Sequence, residues 1–348
     1  MGKEHVHFNV CLGNPPYQAS GDEDSEQKNF APPVYNLFLD EGFKIADIVE
    51  MIHPARFLFD AGRTPKAWNE KMLSDTHFKV LDYEANSRDV FPNAEIKGGV
   101  AITLHDNNRN FEPIGVFTPY QELNSIFHKA APKTEEESLM SVIYLQNKFD
   151  LDSLYADYPK FSSVIGSNGK DKRFRNNIFD KIDIFTDSRV CPDDLKVLGV
   201  VKNKRMWKFF PKKYTDLNHE NLDKWKVFVP RVNGSGAFEV FSSPVIAEPQ
   251  QGYTQTFISI GAFETEEEAK NALSYLKTKF CRAMLGILKI TQDNNRETWR
   301  TVPNQNFGMN SDIDWSLPIR EIDKQLYQKY GLNKSEIDFI ESHVKEMN

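Results

Sequence analysis

The sequence predicts an α/β protein of two domains with a helical end. Three observations carry that expectation. The chain has 348 residues, 40% of them hydrophobic, enough for more than one core. Short β-forming runs alternate with helically spaced ones over the first half. Near Phe161 the texture changes to short β-rich runs separated by Asn, Gly, Pro and Lys clusters.

Residues 5–12 (HVHFNVCL) read as a buried strand that stops sharply at Gly13, because Gly-Asn-Pro-Pro cannot continue it. Residues 18–32 are polar and acidic and predict a mobile loop. Val34, Leu37, Phe38 and Ile45 then recur at helical spacing. Asp47–His53 returns to strand character and is followed by Pro54 and a helix-like ARFLF. His77–Tyr83 and Gly98–Leu104 also read as strands, so the first domain holds a parallel or mixed sheet. Pro132–Glu137 (PKTEEE) is a charged hinge, and a helix is expected from there to about Lys160. VLGVV, KVFVPRV, PVIAE and TQTFISIGAF supply later strands. Leu273, Leu276, Phe280 and Met284 place one long helix over 264–290. Residues 321–347 read as two amphipathic helices broken at Gly331-Leu332-Asn333.

Composition narrows the function classes. No apolar run approaches the roughly 18 residues of a membrane span, and the N-terminal residues lack a signal-peptide layout. Cys11, Cys191 and Cys281 are scattered without metal spacing and read as reduced thiols of a cytoplasmic protein. The net charge of -7 speaks mildly against nucleic acid, but its distribution speaks for it. From Lys160 to Val240 there are 17 Lys+Arg against 10 Asp+Glu, a basic segment in an acidic chain.

The sharpest signal is Asn14-Pro15-Pro16-Tyr17 directly after the first strand. An adenine exocyclic amine is a poor nucleophile because its lone pair is delocalised into the ring. Two acceptors aimed at its two hydrogens would pull the nitrogen toward a pyramidal geometry, and the Asn14 side-chain oxygen and the Pro15 carbonyl can be those acceptors. Proline fixes φ and restricts the residue before it, so Pro15-Pro16 holds that carbonyl pre-aimed. Tyr17 can stack on a base rotated out of a duplex. The competing reading is a turn that closes a strand, with Tyr17 as a packing residue.

FNVCLGNPPYQ resembles motif IV of adenine-specific DNA methyltransferases, and more narrowly the methylase of type II restriction–modification systems. PPVYNLFLDEGFKIADIVEMIHPARFLF resembles the helix–strand–PARFL segment that follows it there. VFPNAEIKGGVAITLHD resembles the motif VIII region, which makes Phe91 the candidate for stacking on the flipped base. KVFVPRVNGSGAF and FISIGAFETEEEAKNALSYLKTKFCRAMLG resemble the target recognition region, and LYQKYGLNKSEIDFIESHV the closing helices. The resemblance implies a partial Rossmann-like methyltransferase sheet over residues 1–150. A mixed α/β target recognition domain over 151–310 and C-terminal helices over 311–348 follow. It implies an adenine-specific enzyme that moves a methyl group from S-adenosyl-L-methionine to double-stranded DNA, with Asn14, Pro15, Pro16 and Tyr17 at the reacting amine.

One departure qualifies it. The family holds S-adenosyl-L-methionine on a glycine-rich strand–turn motif many tens of residues before Asn-Pro-Pro-Tyr, and here 13 residues precede Asn14. Gly234-Ser235-Gly236 sits in the recognition-like region and opens no helix, so it fails the context test. A second methyltransferase subunit, or a missing N-terminal half, is therefore expected to complete the cofactor pocket. The alternative is a catalytically silent DNA-binding or specificity module.

Two basic clusters are the candidate DNA contacts: Lys170, Lys172, Arg173 and Arg175, and the run Lys202, Lys204, Arg205, Trp207, Lys208, Lys212 and Lys213. Interleaved Trp207, Phe209 and Phe210 offer rings for stacking or core packing. Gln250, Gln251, Asn294, Asn295 and Arg296 fall on expected loops and can read base edges. Glu95-Ile96-Lys97 with Asp89 is similar to the E-x-K of restriction nucleases, and Asp193-Asp194 with Lys196 is a thinner match. His5 and His7 alternate along the first strand without a third ligand of suitable spacing.

Overall fold

A computed structural model describes residues 7–19, 32–232, 238–289 and 292–347. The chain divides into two compact units, Met1–Asn124 and Ser125–Asn348. Gly234-Ser235-Gly236, His5 and most of the expected loop at 18–32 lie outside the described residues.

The first unit contains β1 (Phe8–Gly13), α1 (Tyr35–Ile45), β2 (Ala46–Pro54), α2 (Lys66–Ser74), β3 (Phe78–Glu84), α3 (Ser87–Val90) and β4 (Val100–Asp106). The strands form a mixed sheet in the order β1-β2-β4-β3. β1 runs parallel to β2, with Cys11 opposite Val49 and Gly13 opposite Met51. β4 is antiparallel to both neighbours. Strand residues alternate between the two faces of a sheet. The face carrying Cys11, Val49 and Met51 is covered by the core of Tyr35, Leu39, Phe57, Trp68, Met72 and Phe78.

The opposite face is open along β1. Phe8, Val10 and Leu12 share it and are 49%, 49% and 69% exposed. All-parallel sheets are ordinarily covered on both faces, and the parallel part of this mixed sheet is the β1–β2 pair. Among the described residues β1 also pairs on one side alone, with β2, so its outer backbone edge is free.

The second unit begins within α4 (Gln121–Ala130). It holds β5 (Ile143–Tyr144), α5 (Leu151–Asp157), α6 (Ile178–Lys181), β6 (Leu195–Val201), β7 (Lys204–Phe210), β8 (Trp225–Pro230), β9 (Val245–Ala247), β10 (Gln251–Tyr253) and β11 (Phe257–Phe263). It closes with α7 (Glu266–Lys277), α8 (Lys279–Gly286), α9 (Ile319–Lys329) and α10 (Lys334–His343). Two small sheets, β10-β6-β7 and β5-β11-β8-β9, give it the mixed α and β character expected of residues 151–310.

Several elements differ from the sequence expectation. The division falls before Asp150, because β5 pairs with β11 and the Ser138 hydroxyl donates to the Trp299 and Arg300 carbonyls. The expected helix up to Lys160 is reduced to α5 and short 3-10 turns. The expected helix over 264–290 is two: Thr278 has extended backbone (φ -61°, ψ 148°) and caps α8 by accepting from the Cys281 N–H. Residues 311–348 belong to the second unit, where the Asp323 carboxylate on α9 accepts from the Lys279 and Phe280 N–H groups at the start of α8. The break at Gly331-Leu332-Asn333 is found as expected, with Asn333 and Glu336 forming a capping box.

Candidate active site

β1 delivers Asn14-Pro15-Pro16-Tyr17 at the end of the parallel pair. Asn14 and Pro16 are exposed, Pro15 is buried and Tyr17 is half-buried. Neither proline brings an N–H into the loop. Beyond it the Tyr17 carbonyl accepts from the Val34 N–H at 3.2 Å, and Gln18 bridges to Pro33, which ties the loop to the start of α1. Phe91 follows α3, where its N–H donates to the Ser87 carbonyl at 2.8 Å. The fold brings these two distant aromatics together: the Tyr17 and Phe91 rings meet edge to face with centroids 6.4 Å apart. The Tyr17 hydroxyl is buried without a hydrogen-bond partner among the described residues, and burial raises its pKa.

Beside Tyr17 lies a cleft of about 420 Å³, lined also by Gln18, Arg56, Arg63, Glu95 and Lys97. Arg56 follows Pro54-Ala55 at the end of β2, and its Nε donates to the Lys97 carbonyl at 2.6 Å. Gly62 (φ +98°) and Gly98 (φ +88°) make room for it. An added Cβ would stand 3.2 Å from the Arg56 Cβ at Gly62 and 2.7 Å from its Cγ at Gly98. Under the cleft wall His53 is fully buried and stacks on Tyr35, ring centroids 5.4 Å apart. Its Nδ1 lies 3.1 Å from the Pro54 carbonyl and its Nε2 2.8 Å from the Thr103 hydroxyl. A carbonyl only accepts, so Nδ1 carries the proton and the Thr103 hydroxyl donates to Nε2. Burial pushes the His53 pKa down to about 4, so the ring is neutral.

Residues 2–91 match the Eco57I restriction-modification methylase family. The matched segment runs through the Asn14–Tyr17 loop and ends on Phe91. The chain is also 28% identical over 137 residues to a protein of Mycoplasma pneumoniae (strain ATCC 29342 / M129 / Subtype 1) described as an uncharacterized adenine-specific methylase. That alignment covers 38% of this chain and 30% of the relative's length. These two findings support a restriction–modification methyltransferase. Among solved structures, the type IIG restriction endonuclease BpuSI aligns with a TM-score of 0.33 and 12% identity, over 98% of this chain and 55% of that one. The ATP-dependent Type ISP restriction-modification enzyme LlaBIII aligns at 0.26 and 11%, over 97% and 29%.

The sequence reading passed over Arg56, Arg63 and the His53–Tyr35 stack beside this methylase-like loop. The visible signal was Pro54-Ala55-Arg56 at a strand end, with glycines at 62, 98 and 99. Glu95 of the E-x-K run pairs with Arg88 at 2.8 Å, and Lys97 turns to the same cleft as Tyr17.

The basic residues of the second unit fall into two kinds. Lys170, Lys172, Lys202 and Lys204 are exposed, and Lys212 is half-buried. Lys202 and Asn203, both at positive φ, form the tight turn that presents β7. The others are held by the chain itself. Arg173 grips the buried Asp171 with two hydrogen bonds of 2.9 and 2.7 Å, and Arg175 stands 3.4 Å from the same carboxylate. Arg205 donates to the Ser242 and Ser243 carbonyls and lies over the Phe257 ring. Trp207 packs against the Leu198–Phe228–Tyr253 cluster under Lys196. Lys208 pairs with Asp187, and Lys213 with Asp157.

Other candidates have structural partners as well. Asp194 accepts from the Val190 and Cys191 N–H groups and organises an exposed turn, near Cys191 and Asp193. His7 pairs with Asp47. Asn294 is buried, Asn295 caps a 3-10 turn and Arg296 pairs with Glu135. Gln250 has positive φ and Gln251 is buried in β10. Among the described residues no helix is long and apolar enough to cross a membrane.

Proposed function

We propose that this chain is the adenine-handling and target-reading part of an adenine-specific DNA methyltransferase of a restriction–modification system. The observation that carries the reading is the Asn14-Pro15-Pro16-Tyr17 loop at the end of β1, with Asn14 exposed and Phe91 against Tyr17, inside the segment that matches the methylase family. In this reading Asn14 and the Pro15 carbonyl accept the two hydrogens of the adenine amine. The loop is fixed in advance by its prolines, so little reorganisation accompanies the reaction. Tyr17 supplies a ring face to the extruded base, and Phe91 closes the edge of the site. The second unit reads the duplex, with Lys170, Lys172, Lys202, Lys204 and Lys212 as its phosphate contacts and the remaining basic residues as its frame.

The methyl donor in this reading is S-adenosyl-L-methionine, and the reading assigns part of its pocket to a second α/β half. The two parallel strands run into Asn14-Pro15-Pro16 and into Pro54-Ala55, not into glycine-rich turns. A second α/β half, in trans or on the same polypeptide, completes the pocket. The free edge of β1 and the exposed face of Phe8, Val10 and Leu12 support this, since a further strand and a covering layer both find their place there.

The test is transfer of labelled methyl groups from S-adenosyl-L-methionine to mixed-sequence duplex DNA, by the chain alone and with the product of the neighbouring gene. Asn14→Ala is expected to abolish transfer and to spare DNA binding. Near-normal turnover by that variant contradicts the reading. Duplex binding without transfer under either condition favours the alternative, a specificity module in which the loop is only structural.

A further inference from the structure

Arg56 is held more firmly than a surface arginine needs to be. Its stem lies between two glycines at positive φ, and its Nε is engaged by the Lys97 carbonyl. That geometry leaves both Nη groups as a fork at the cleft that Tyr17 lines. Arg63 and Lys97 line the same cleft, while Glu95 on its rim is engaged by Arg88. A rigid guanidinium fork matches the paired oxygens of a phosphate, and two more cationic side chains line the same cleft. A base that leaves the helical stack carries its flanking phosphates with it, so a base-holding ring and an anion site belong within one nucleotide's reach.

We infer that Arg56, with Arg63 and Lys97, forms a phosphodiester-binding site that holds the backbone beside the base stacked on Tyr17. The inference rests on the adenine-handling reading and extends it: the loop binds the base, and the Arg56 cradle fixes the strand from which the base came. Its ligand class is a single nucleic-acid strand, contacted through phosphate without sequence preference.

The experiment is a salt titration of binding to a fluorescein-labelled 15-mer of deoxyadenosine by the full chain, followed by anisotropy. Each phosphate contact on a single strand contributes about 0.7 to the slope of log K against log salt. Arg56→Gln is expected to weaken binding several-fold and lower the slope by about 0.7. Lys97→Gln, which keeps the backbone carbonyl that anchors Arg56, is expected to lower it by a similar amount, and it serves as the test should Arg56→Gln fail to fold in a thermal melt. Wild-type slopes in both folded variants, or in Lys97→Gln alone where Arg56→Gln does not fold, overturn the phosphate site and leave the adenine reading standing. A wild-type chain that binds neither this strand nor duplex DNA overturns both.

Discussion

Tyr17 and Phe91, with β2 and β3 between them in sequence, meet edge to face at 6.4 Å with their planes at 66°. In the adenine-handling reading a face of Tyr17 is the stacking surface, with Phe91 packed beside it. The Tyr17 hydroxyl is buried without a hydrogen-bond partner among the described residues, so in that reading the ring and not the oxygen meets the base. Tyr17→Phe is expected to leave oligonucleotide affinity unchanged. Tyr17→Ala is expected to weaken it roughly 5- to 150-fold, the equivalent of about 1–3 kcal/mol for one base–aromatic stack. Equal losses in both variants would place the function on the hydroxyl instead.

His53 predicts how the first unit responds to acid. Its folded pKa is about 4, against about 6.5 for an unperturbed histidine, so the unfolded chain takes up the proton first as pH falls. The stability it contributes is complete above about pH 6.5, declines through the window down to about 4, and then levels off. Between pH 7.5 and 5.5 the loss is about 1.4 kcal/mol. Hydrogen exchange of the β2 and β4 amides reads this locally. His53→Gln is expected to remove this part of the pH dependence, and an unchanged dependence in the variant would assign it to other groups.

The parts of this architecture legible in the sequence are those fixed by local chemistry. Gly13-Asn14-Pro15-Pro16 had to end a strand, and Gly331 with the Asn333–Glu336 box had to separate two helices. Helical spacing found α1 but not its inner face. Leu37, Phe38 and Ile45 are exposed, whereas Tyr35 and Leu39 are buried, because apolar residues occupy two faces of that helix. The break at Thr278 was invisible because the apolar period continues across it. Charge counting located a basic segment but not which cations the fold consumes: Asp171 lies two residues before Arg173, and only the folded chain shows that it buries and draws in both arginines. Arg56 escaped notice for a related reason, since its two glycines lie 6 and 42 residues away.

Gly99 tests the cleft's frame. Its φ is +77°, and a Cβ there would stand 2.4 Å from the Glu84 carbonyl oxygen, a fixed backbone atom. The strain of a non-glycine residue adds to that overlap. Gly99→Ala is expected to destabilise the first unit by roughly 2 kcal/mol or more and to shift the Lys97 carbonyl that anchors Arg56. Exchange protection of the β3–β4 amides measures the first effect. A neutral result would show that the turn relaxes freely and does not hold the cleft in shape.

The two kinds of basic residue in the second unit predict two kinds of mutant. Lys204 is exposed on β7, with no ion-pair partner among the described residues. Lys204→Gln is expected to leave the melting temperature unchanged and, if the residue meets a duplex phosphate, to lower the salt slope of duplex binding by about 0.9. Arg173 instead satisfies a carboxylate that is almost wholly buried, and it holds the Asp171 pKa below the usual range. Arg173→Ala leaves Asp171 with the backbone N–H at position 173, at 3.1 Å, and Arg175 at 3.4 Å, and the lost charged side-chain hydrogen bonds are expected to cost about 1–3 kcal/mol of stability. Its DNA affinity is expected to fall only as far as the folded fraction falls. Paired thermal melts and salt titrations separate the two residues, and a stable Arg173→Ala protein with a reduced slope would move Arg173 from the frame to the contact surface.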